Sequence, residues 1–297
     1  MPRKQFQGKA KIISVGNITS GGSGKTPTTI YLAQMLQAKG KMVAVSHRGY
    51  KGSFEKEPTL ISGQKKIFDF AASAGDEAFL LASKLPGIPV VAGKNRQQAI
   101  QLVEQAYPQI DYIILDDSFQ HLRVKHDYDF IVFNSIGKIG NGFLLPAGIL
   151  REPLSALKYA DQIIYNGAGE IPACLMKSKL PIARATYQLK KFISTAAKEI
   201  SLEELQKANV ALISAIGIPQ SYETTINNYG IKFQKHFAFP DHYDYSDREK
   251  LKNISQENYD YIIITEKDWA KLQFVDHKLP LVIAQSEFEI DGLEWDG

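Results

Sequence analysis

The chain has 297 residues, enough for one large or two modest domains with cores of their own. Its 44% apolar and 23% charged content is that of an ordinary globular protein, and a net charge of +3 is too small to point to nucleic acid. One cysteine, Cys174, excludes an intramolecular disulfide and suits a reducing compartment; no Cys/His set has zinc spacing, and no apolar run is long enough to span a bilayer.

The N-terminal segment is basic (Arg3, Lys4, Lys9, Lys11), and no apolar signal-peptide core follows it. It reads as a solvated terminus, with contact to an anionic membrane face as the alternative. The β-branched run Ile12, Ile13, Val15 then leads into Gly16-Asn17-Ile18-Thr19-Ser20-Gly21-Gly22-Ser23-Gly24-Lys25-Thr26, which opens onto a helical pattern (Ile30, Leu32, Ala33, Leu36). Strand, Gly-rich loop and helix is the setting in which backbone N–H groups cradle a polyphosphate. Thr19 stands where the first glycine of G-x-x-x-x-G-K-[ST] is usual; the rest of the motif is complete. Thr19, Ser20, Gly21, Gly22, Ser23 and Gly24 are expected to hold a nucleoside triphosphate. Lys25 would reach the β/γ-phosphates, and the Thr26 hydroxyl would sit on Mg²⁺.

The helix is expected over 25–39, with Pro27 tolerated in its first turn and Gly40 ending it. A buried strand over 42–46 runs into His47-Arg48-Gly49-Tyr50. Gly75-Asp76-Glu77 opens an apolar helix that stops before Pro86, 88–92 is the next strand, and Gly93-Lys94-Asn95-Arg96 leads a helix to Ala106. The strand over 112–117 delivers Asp116 and Asp117 at its C-terminal end, where open α/β sheets bind ligands and a P-loop protein needs an acid for Mg²⁺. After a strand over 128–133 comes a Gly/Pro-rich loop, 137–151, whose Phe143, Leu144, Leu145, Ile149 and Leu150 argue against simple disorder. A strand over 161–165 looks like the last of this lobe. The alternation predicts a doubly wound, mostly parallel α/β sheet of the P-loop NTPase type.

A second, smaller α/β lobe follows, giving expected domains of 1–182 and 183–297. Residues 183–192 look like a strand that bridges lobes, and Ser201 to Glu204 is a capping box. Then come a strand over 210–214, a helix over 220–229 stopped by Gly230, and a strand over 231–236. A loop over 237–245, a second capping box Ser246…Glu249, and strands over 261–265 and 281–284 complete the lobe. The acidic tail (Glu287, Glu289, Asp291, Glu294, Asp296) is expected to be solvated surface.

Several segments together resemble the tetraacyldisaccharide 4′-kinases of lipid A biosynthesis. They are the Val-Gly-Asn and Gly-Gly-Ser-Gly-Lys-Thr-Pro stretches, His47-Arg48-Gly49-Tyr50, Gly75-Asp76-Glu77, Gly93 to Arg96, and Leu115-Asp116-Asp117 with Gln120-His121. Further along come Gly140-Asn141-Gly142, Leu145-Pro146-Ala147-Gly148, Leu150-Arg151-Glu152-Pro153, Phe239-Pro240-Asp241-His242 and Thr265-Glu266-Lys267-Asp268. They keep family order over most of the chain, and the Gly-Asn-Gly to Arg-Glu-Pro and Phe-Pro-Asp-His blocks are the specific ones. The resemblance implies transfer of the ATP γ-phosphoryl to the 4′-hydroxyl of a tetraacylated glucosamine disaccharide 1-phosphate, with Mg²⁺. It implies a peripheral enzyme at the cytoplasmic face of the inner membrane, with no nucleic acid and no evident protein partner. Family members usually carry a hydrophobic N-terminal helix; here the first strand follows directly on the short basic segment.

By the same resemblance Asp76 and His242 form the proton-accepting pair, although spacing alone would make Asp76 a helix cap and His242 a surface residue. Asp116 and Asp117 take Mg²⁺, with Glu152 joining them. Arg96 and Arg151 stabilise charge on the transferring phosphoryl. Gln120 and His121 position nucleotide or acceptor, while Lys267 meets substrate phosphate or pairs with Glu266 or Asp268. Phe143, Leu144 and Leu145 lie against acyl chains or the bilayer, or are buried as a satellite cluster. The rival reading is a P-loop switch or partitioning-type ATPase acting through a partner, but its signature lysine before the two glycines is Ser20 here.

Overall fold

The first strands are buried on both faces, the state of a parallel sheet covered by helices on each side. The computed structural model describes residues 5–69, 71–137, 139–241, 243–295 and 297, in two units: Met1–Thr186 with Phe288–Gly297, and Tyr187–Glu287. The first unit runs β1 (Lys11–Gly16), α1 (Lys25–Ala38), β2 (Val43–His47), β3 (Thr59–Ser62), α2 (Asp76–Lys84), β4 (Val90–Ala92) and α3 (Arg96–Ala106). It continues with β5 (Tyr112–Asp116), β6 (Tyr128–Asn134), β7 (Gln162–Asn166), the single turn α4 (Ala173–Met176) and the start of β8 (Ile182–Ser194). Its strand order is β8-β7-β6-β1-β5-β2-β4-β3, parallel except for β3.

Leu32, Leu36, Leu81 and Ala82 of α1 and α2 pack with Ile13, Val45 and Ile114 on one face of this sheet. Ile100 and Val103 of α3 pack with Ile12, Ala44 and Ile113 on the other, so the sheet is doubly wound as expected. One expectation fails here. The strand at 161–165 is not the last of its lobe, because Ile182–Ala185 of β8 pair alongside it in parallel. The tail's Glu287, Asp291 and Glu294 are exposed as expected, but Trp295 among them is half-buried. Trp295 stacks edge-on with Tyr112 and Phe130 and lies 5.4 Å from the Tyr128 ring, so an apolar anchor among the acids returns residues 288–297 to the first unit. Of those acids, Asp296 lies outside the described residues.

The second unit holds the rest of β8, then β9 (Glu199–Ile200), α5 (Leu202–Lys207), β10 (Val210–Ser214), α6 (Pro219–Asn228), β11 (Phe233–Ala238), α7 (Arg248–Ser255), β12 (Tyr261–Thr265), α8 (Glu266–Leu272) and β13 (Leu281–Asp291) as far as Glu287. Strands β11, β10, β12 and β13 form a parallel series, covered by α5 and α6 on one face and by α7 and α8 on the other. The expected unit boundary moves from 182/183 to 186/187, inside the strand that was expected to bridge lobes. Ser201 caps α5 through Glu204 N–H as read from sequence, but α7 is capped by Asp247 rather than Ser246, whose hydroxyl binds Asp244 instead. Helix α8 was not anticipated: Thr265 caps it by accepting from Asp268 N–H.

Candidate active site

The Gly-rich turn leaves β1 and enters α1 at Gly24, whose φ of 99° is a left-handed conformation that glycine adopts without strain. A Cβ on Gly24 would also meet the Asn166 amide nitrogen at 2.5 Å. Three side-chain amides hold the loop's carbonyls: Asn17 donates to Thr19 O (2.7 Å), Asn134 to Gly22 O (3.2 Å) and Asn166 to Ser23 O (3.2 Å). The backbone N–H groups of residues 21–24 donate to no acceptor among the described residues. Held carbonyls and free amides at a helix N-terminus make an anion cradle.

The two neighbouring acids do different work. Asp116 is 1% exposed, and its carboxylate accepts from the hydroxyls of Thr26 (3.0 Å) and Thr29 (3.2 Å). Burial raises its pKa; the His47 and Lys25 charges oppose that rise. Asp117 steps out of the strand with φ 48°, a left-handed conformation that Asp tolerates better than most residues. Its Oδ1 then takes two cations, Arg151 at 3.1 Å and Lys25 at 3.8 Å. Asp117, expected on the metal, is paired here with Lys25 and Arg151. Among the described residues no three His, Cys, Asp or Glu side chains converge as a cation cage, so Glu152 is not brought together with Asp116 and Asp117. The hydroxyl of Thr26 beside the Asp116 carboxylate is a pair of hard oxygens, the donor type that suits Mg²⁺.

Arg151 reaches this point because the 137–151 loop returns to the cradle. Ser20 N–H donates to Ile149 O and Arg151 N–H to Ile18 O, both at 2.7 Å, and the Arg151 guanidinium also donates to Asn17 Oδ1 at 3.0 Å. The tip of the loop faces outward, with Phe143 63%, Leu144 46% and Leu145 54% exposed. Of the two readings of those residues, the buried satellite cluster is excluded.

Arg96, expected to face the phosphoryl group, is 3% exposed and committed elsewhere: it donates to Ser46 Oγ at 3.0 Å and to the Asp116 carbonyl. Burial lowers its pKa to about 10, against the pull of Asp116 and Asp117, which leaves it charged at neutral pH. It ties β2, β5 and α3 together. Gln120 donates to Asn17 O at 2.7 Å, bracing the turn, and its buried Oε1 has no partner among the described residues. His121 is half-buried, and desolvation followed by the Arg96 charge lowers its pKa. Asp76 is the exposed first residue of α2, following Gly75 at the cap position, where the helix dipole favours a carboxylate. His242 lies outside the described residues. Lys267 pairs with neither Glu266 nor Asp268; its ammonium meets Asp241 at 2.9 Å.

Sequence reasoning missed Thr29, Ser46, Asn134, Asn166 and the His47–Glu77 pair. Buried His47 accepts from Gly49 N–H at Nδ1 (3.0 Å), so Nε2 carries the proton toward Glu77 Oε2 at 3.2 Å. An Asn closing each of two adjacent buried strands, β6 and β7, was the available signal for the loop-holding amides.

The tetraacyldisaccharide-1-P 4′-kinase family model matches residues 2–295. A tetraacyldisaccharide 4′-kinase of Halothermothrix orenii is 34% identical over 314 aligned residues, covering 96% of this chain and 81% of the relative. One of Geobacter sulfurreducens is 38% identical over 88% of this chain and 74% of its own. Among solved structures, LpxK from Aquifex aeolicus in complex with ATP superposes with a TM-score of 0.74 at 29% identity, covering 97% of this chain and 86% of that one.

Proposed function

Because the chain belongs to the tetraacyldisaccharide-1-P 4′-kinase family, we infer that it transfers the γ-phosphoryl of ATP to the 4′-hydroxyl of a tetraacylated glucosamine disaccharide 1-phosphate. The observation that carries this reading is the cradle itself: free amides at 21–24, with Lys25 and Arg151 both drawn to Asp117 and Thr26 beside Asp116. The partitioning-ATPase reading has no such support, since Ser20 replaces the signature lysine and its amide is spent on Ile149.

Phosphoryl transfer asks a protein for positioning and charge neutralisation more than for covalent chemistry. The loop amides and Lys25 hold the β- and γ-phosphates, and Arg151 neutralises charge on the transferring group. Thr26 and Asp116 are the residues to hold Mg²⁺, which when bound neutralises β- and γ-phosphate oxygens. The 4′-oxygen attacks the γ-phosphorus, the bond to the β–γ bridging oxygen breaks, ADP leaves, and the hydroxyl proton passes to Asp76, with His242 as its partner by resemblance. Arg96 and Gln120 act through Asp116 and Asn17 and touch no substrate.

No helix among the described residues is long and apolar enough to cross a membrane. The reading places the enzyme peripherally on the cytoplasmic face of the inner membrane, where its acylated acceptor lies, with the exposed Phe143-Leu144-Leu145 tip and the basic N-terminus as contacts. The test is incubation of the purified protein with ATP, Mg²⁺ and tetraacyldisaccharide 1-phosphate. A bisphosphorylated lipid is expected from wild type and none from Lys25→Ala; ATP turnover without lipid product would refute the reading.

A further inference from the structure

Strand β2 ends at His47 and lies between β4 and β5, the strand that ends in Asp116. The His47 residue is 4% exposed, so its ring nitrogens must find their partners within the protein. Gly49 N–H donates to Nδ1, which leaves the ring hydrogen on Nε2 and sends it to Glu77. One imidazole therefore joins the end of β2 to the first turn of α2, the helix that begins with Asp76. The backbone of β2 is fixed at the same point, since Gly93 N–H donates to His47 O at 2.9 Å.

The N-terminus of α2 lacks the usual side-chain cap. Its cap residue is Gly75, at φ 96°, and no side chain accepts from the first amides there. The chain arrives from the 3₁₀ turn Ala71–Ala74, and Phe79 N–H closes the first helical turn on Gly75 O at 2.9 Å. The link from His47 to Glu77 supplies a tether to the sheet that a cap would not. Both partners also lie within electrostatic reach of Asp116: the Glu77 carboxylate pushes its pKa up, and a charge on His47 would draw it down. Asp116, with Thr26, belongs to the nucleotide side of the reaction, and Asp76 to the acceptor side. His47 belongs to neither, yet it ties the strand beside the first to the helix that opens with the second. In a reaction that depends on placement, an error of about 1 Å can cost about 10²-fold in rate.

We propose that His47 is a positioning residue for phosphoryl transfer: its imidazole braces Glu77, and through it the start of α2, so that the Asp76 carboxylate keeps its place relative to the strand end that carries Asp116. The proposal deepens the kinase reading and rests on it. The assay uses ATP and tetraacyldisaccharide 1-phosphate in detergent micelles. His47→Asn keeps an acceptor for Gly49 N–H but does not extend to Glu77, and should lower kcat about tenfold or more. The KM for ATP should stay within about twofold, because the cradle and Lys25 are untouched. Glu77→Ala should lose as much as His47→Asn, whereas Glu77→Gln, whose amide oxygen still accepts from Nε2–H, should stay within about threefold of wild type. The double variant His47→Asn/Glu77→Ala should be little slower than either single one, since the two act as a unit. In an Asp76→Ala background His47→Asn should cost less than about twofold, which a general loss of folded protein would not give. If wild type makes no lipid product, the kinase reading falls by itself, and the brace is judged by amide hydrogen exchange. Faster exchange at Phe79 in His47→Asn and Glu77→Ala, but not in Glu77→Gln, then supports it. Unchanged kcat in His47→Asn, multiplied losses in the double variant, an equal loss in the Asp76→Ala background, or unchanged exchange at Phe79 would overturn it.

Discussion

At the scale of single residues, Asp116 shows stability traded for chemistry. Its pKa is raised by burial, so the folded chain binds that proton more tightly than the unfolded chain does. The stability this group contributes is present below the ordinary carboxylate range and is lost as pH rises through the raised value. At neutral pH the ionised group is therefore a cost. Asp116→Asn removes that cost and keeps an acceptor for one of the Thr26 and Thr29 hydroxyls, while the other can turn to accept from the new amide N–H. It should raise the thermal midpoint at pH 7 by a few degrees, the shift worth about 1 kcal/mol, while abolishing phosphoryl transfer. A thermal scan beside an activity assay checks both, and a lowered midpoint would show that the charge is compensated. Arg96 behaves in the opposite way. Arg96→Ala leaves Ser46 Oγ and the Asp116 carbonyl short of a donor in a buried place, and should cost about 1–3 kcal/mol of stability by denaturant titration.

At the scale of elements, the 137–151 loop is the segment whose structure says most about function. Its return path hydrogen-bonds to the cradle while its tip carries three large apolar side chains into solvent. Fully burying one such side chain is worth about 1.5–3 kcal/mol, so Phe143→Ser with Leu144→Ser should weaken vesicle binding by tenfold or more. Co-sedimentation with vesicles of anionic lipid measures it, and the loss should persist at high salt, since screening acts on charges and not on apolar contact. Equal binding by the variant would leave attachment to the basic N-terminus. Helix α8 teaches the reverse lesson about a motif. Asp268 of Thr-Glu-Lys-Asp is buried, and its carboxylate accepts from Ala215 N–H, Tyr245 OH and Thr265 Oγ1, so that part of the motif holds the second unit together. Asp268→Ala should destabilise that unit by about 3 kcal/mol or more, because several buried donors lose their acceptor at once.

At the scale of the whole molecule, the chain returns to its starting unit at the end. Trp295 packs on Tyr112, Tyr128 and Phe130, side chains of β5 and β6. Trp295→Ala should cost roughly 2 kcal/mol, less than the loss of a fully buried tryptophan because the ring is only partly covered. A midpoint unchanged in urea would show the contact to be incidental. Asp76 and His242 make the widest kinetic prediction. If they serve one proton transfer, the double variant Asp76→Ala/His242→Ala should be little slower than Asp76→Ala alone, whereas independent residues would multiply their losses.

The division of the fold into elements was legible because it is local. Apolar runs ending in Gly, Pro or capping residues marked β1, α1, α2, α3, β5, β6 and β10 near their observed bounds, and the Gly-Lys-Thr turn marked the cradle. The identity of the site's acids and cations was legible for the same reason, since each stands at the end of a recognisable strand or loop. What each of them does was decided by tertiary contacts. Sequence adjacency made Asp116 and Asp117 look alike, yet one left-handed residue turns the second carboxylate away from Thr26 and toward Lys25 and Arg151. An arginine at a helix start looked like a phosphate ligand, yet its neighbours in space are Ser46 and a backbone carbonyl, which bury it. Asn134 and Asn166 stand visibly at strand ends and Trp295 among acids, but what each of them holds is not local, because their partners lie far away along the chain. Propensity and periodicity report what a residue meets within a turn or a strand; which side chains share a carboxylate is settled only when the sheet brings its strand ends together.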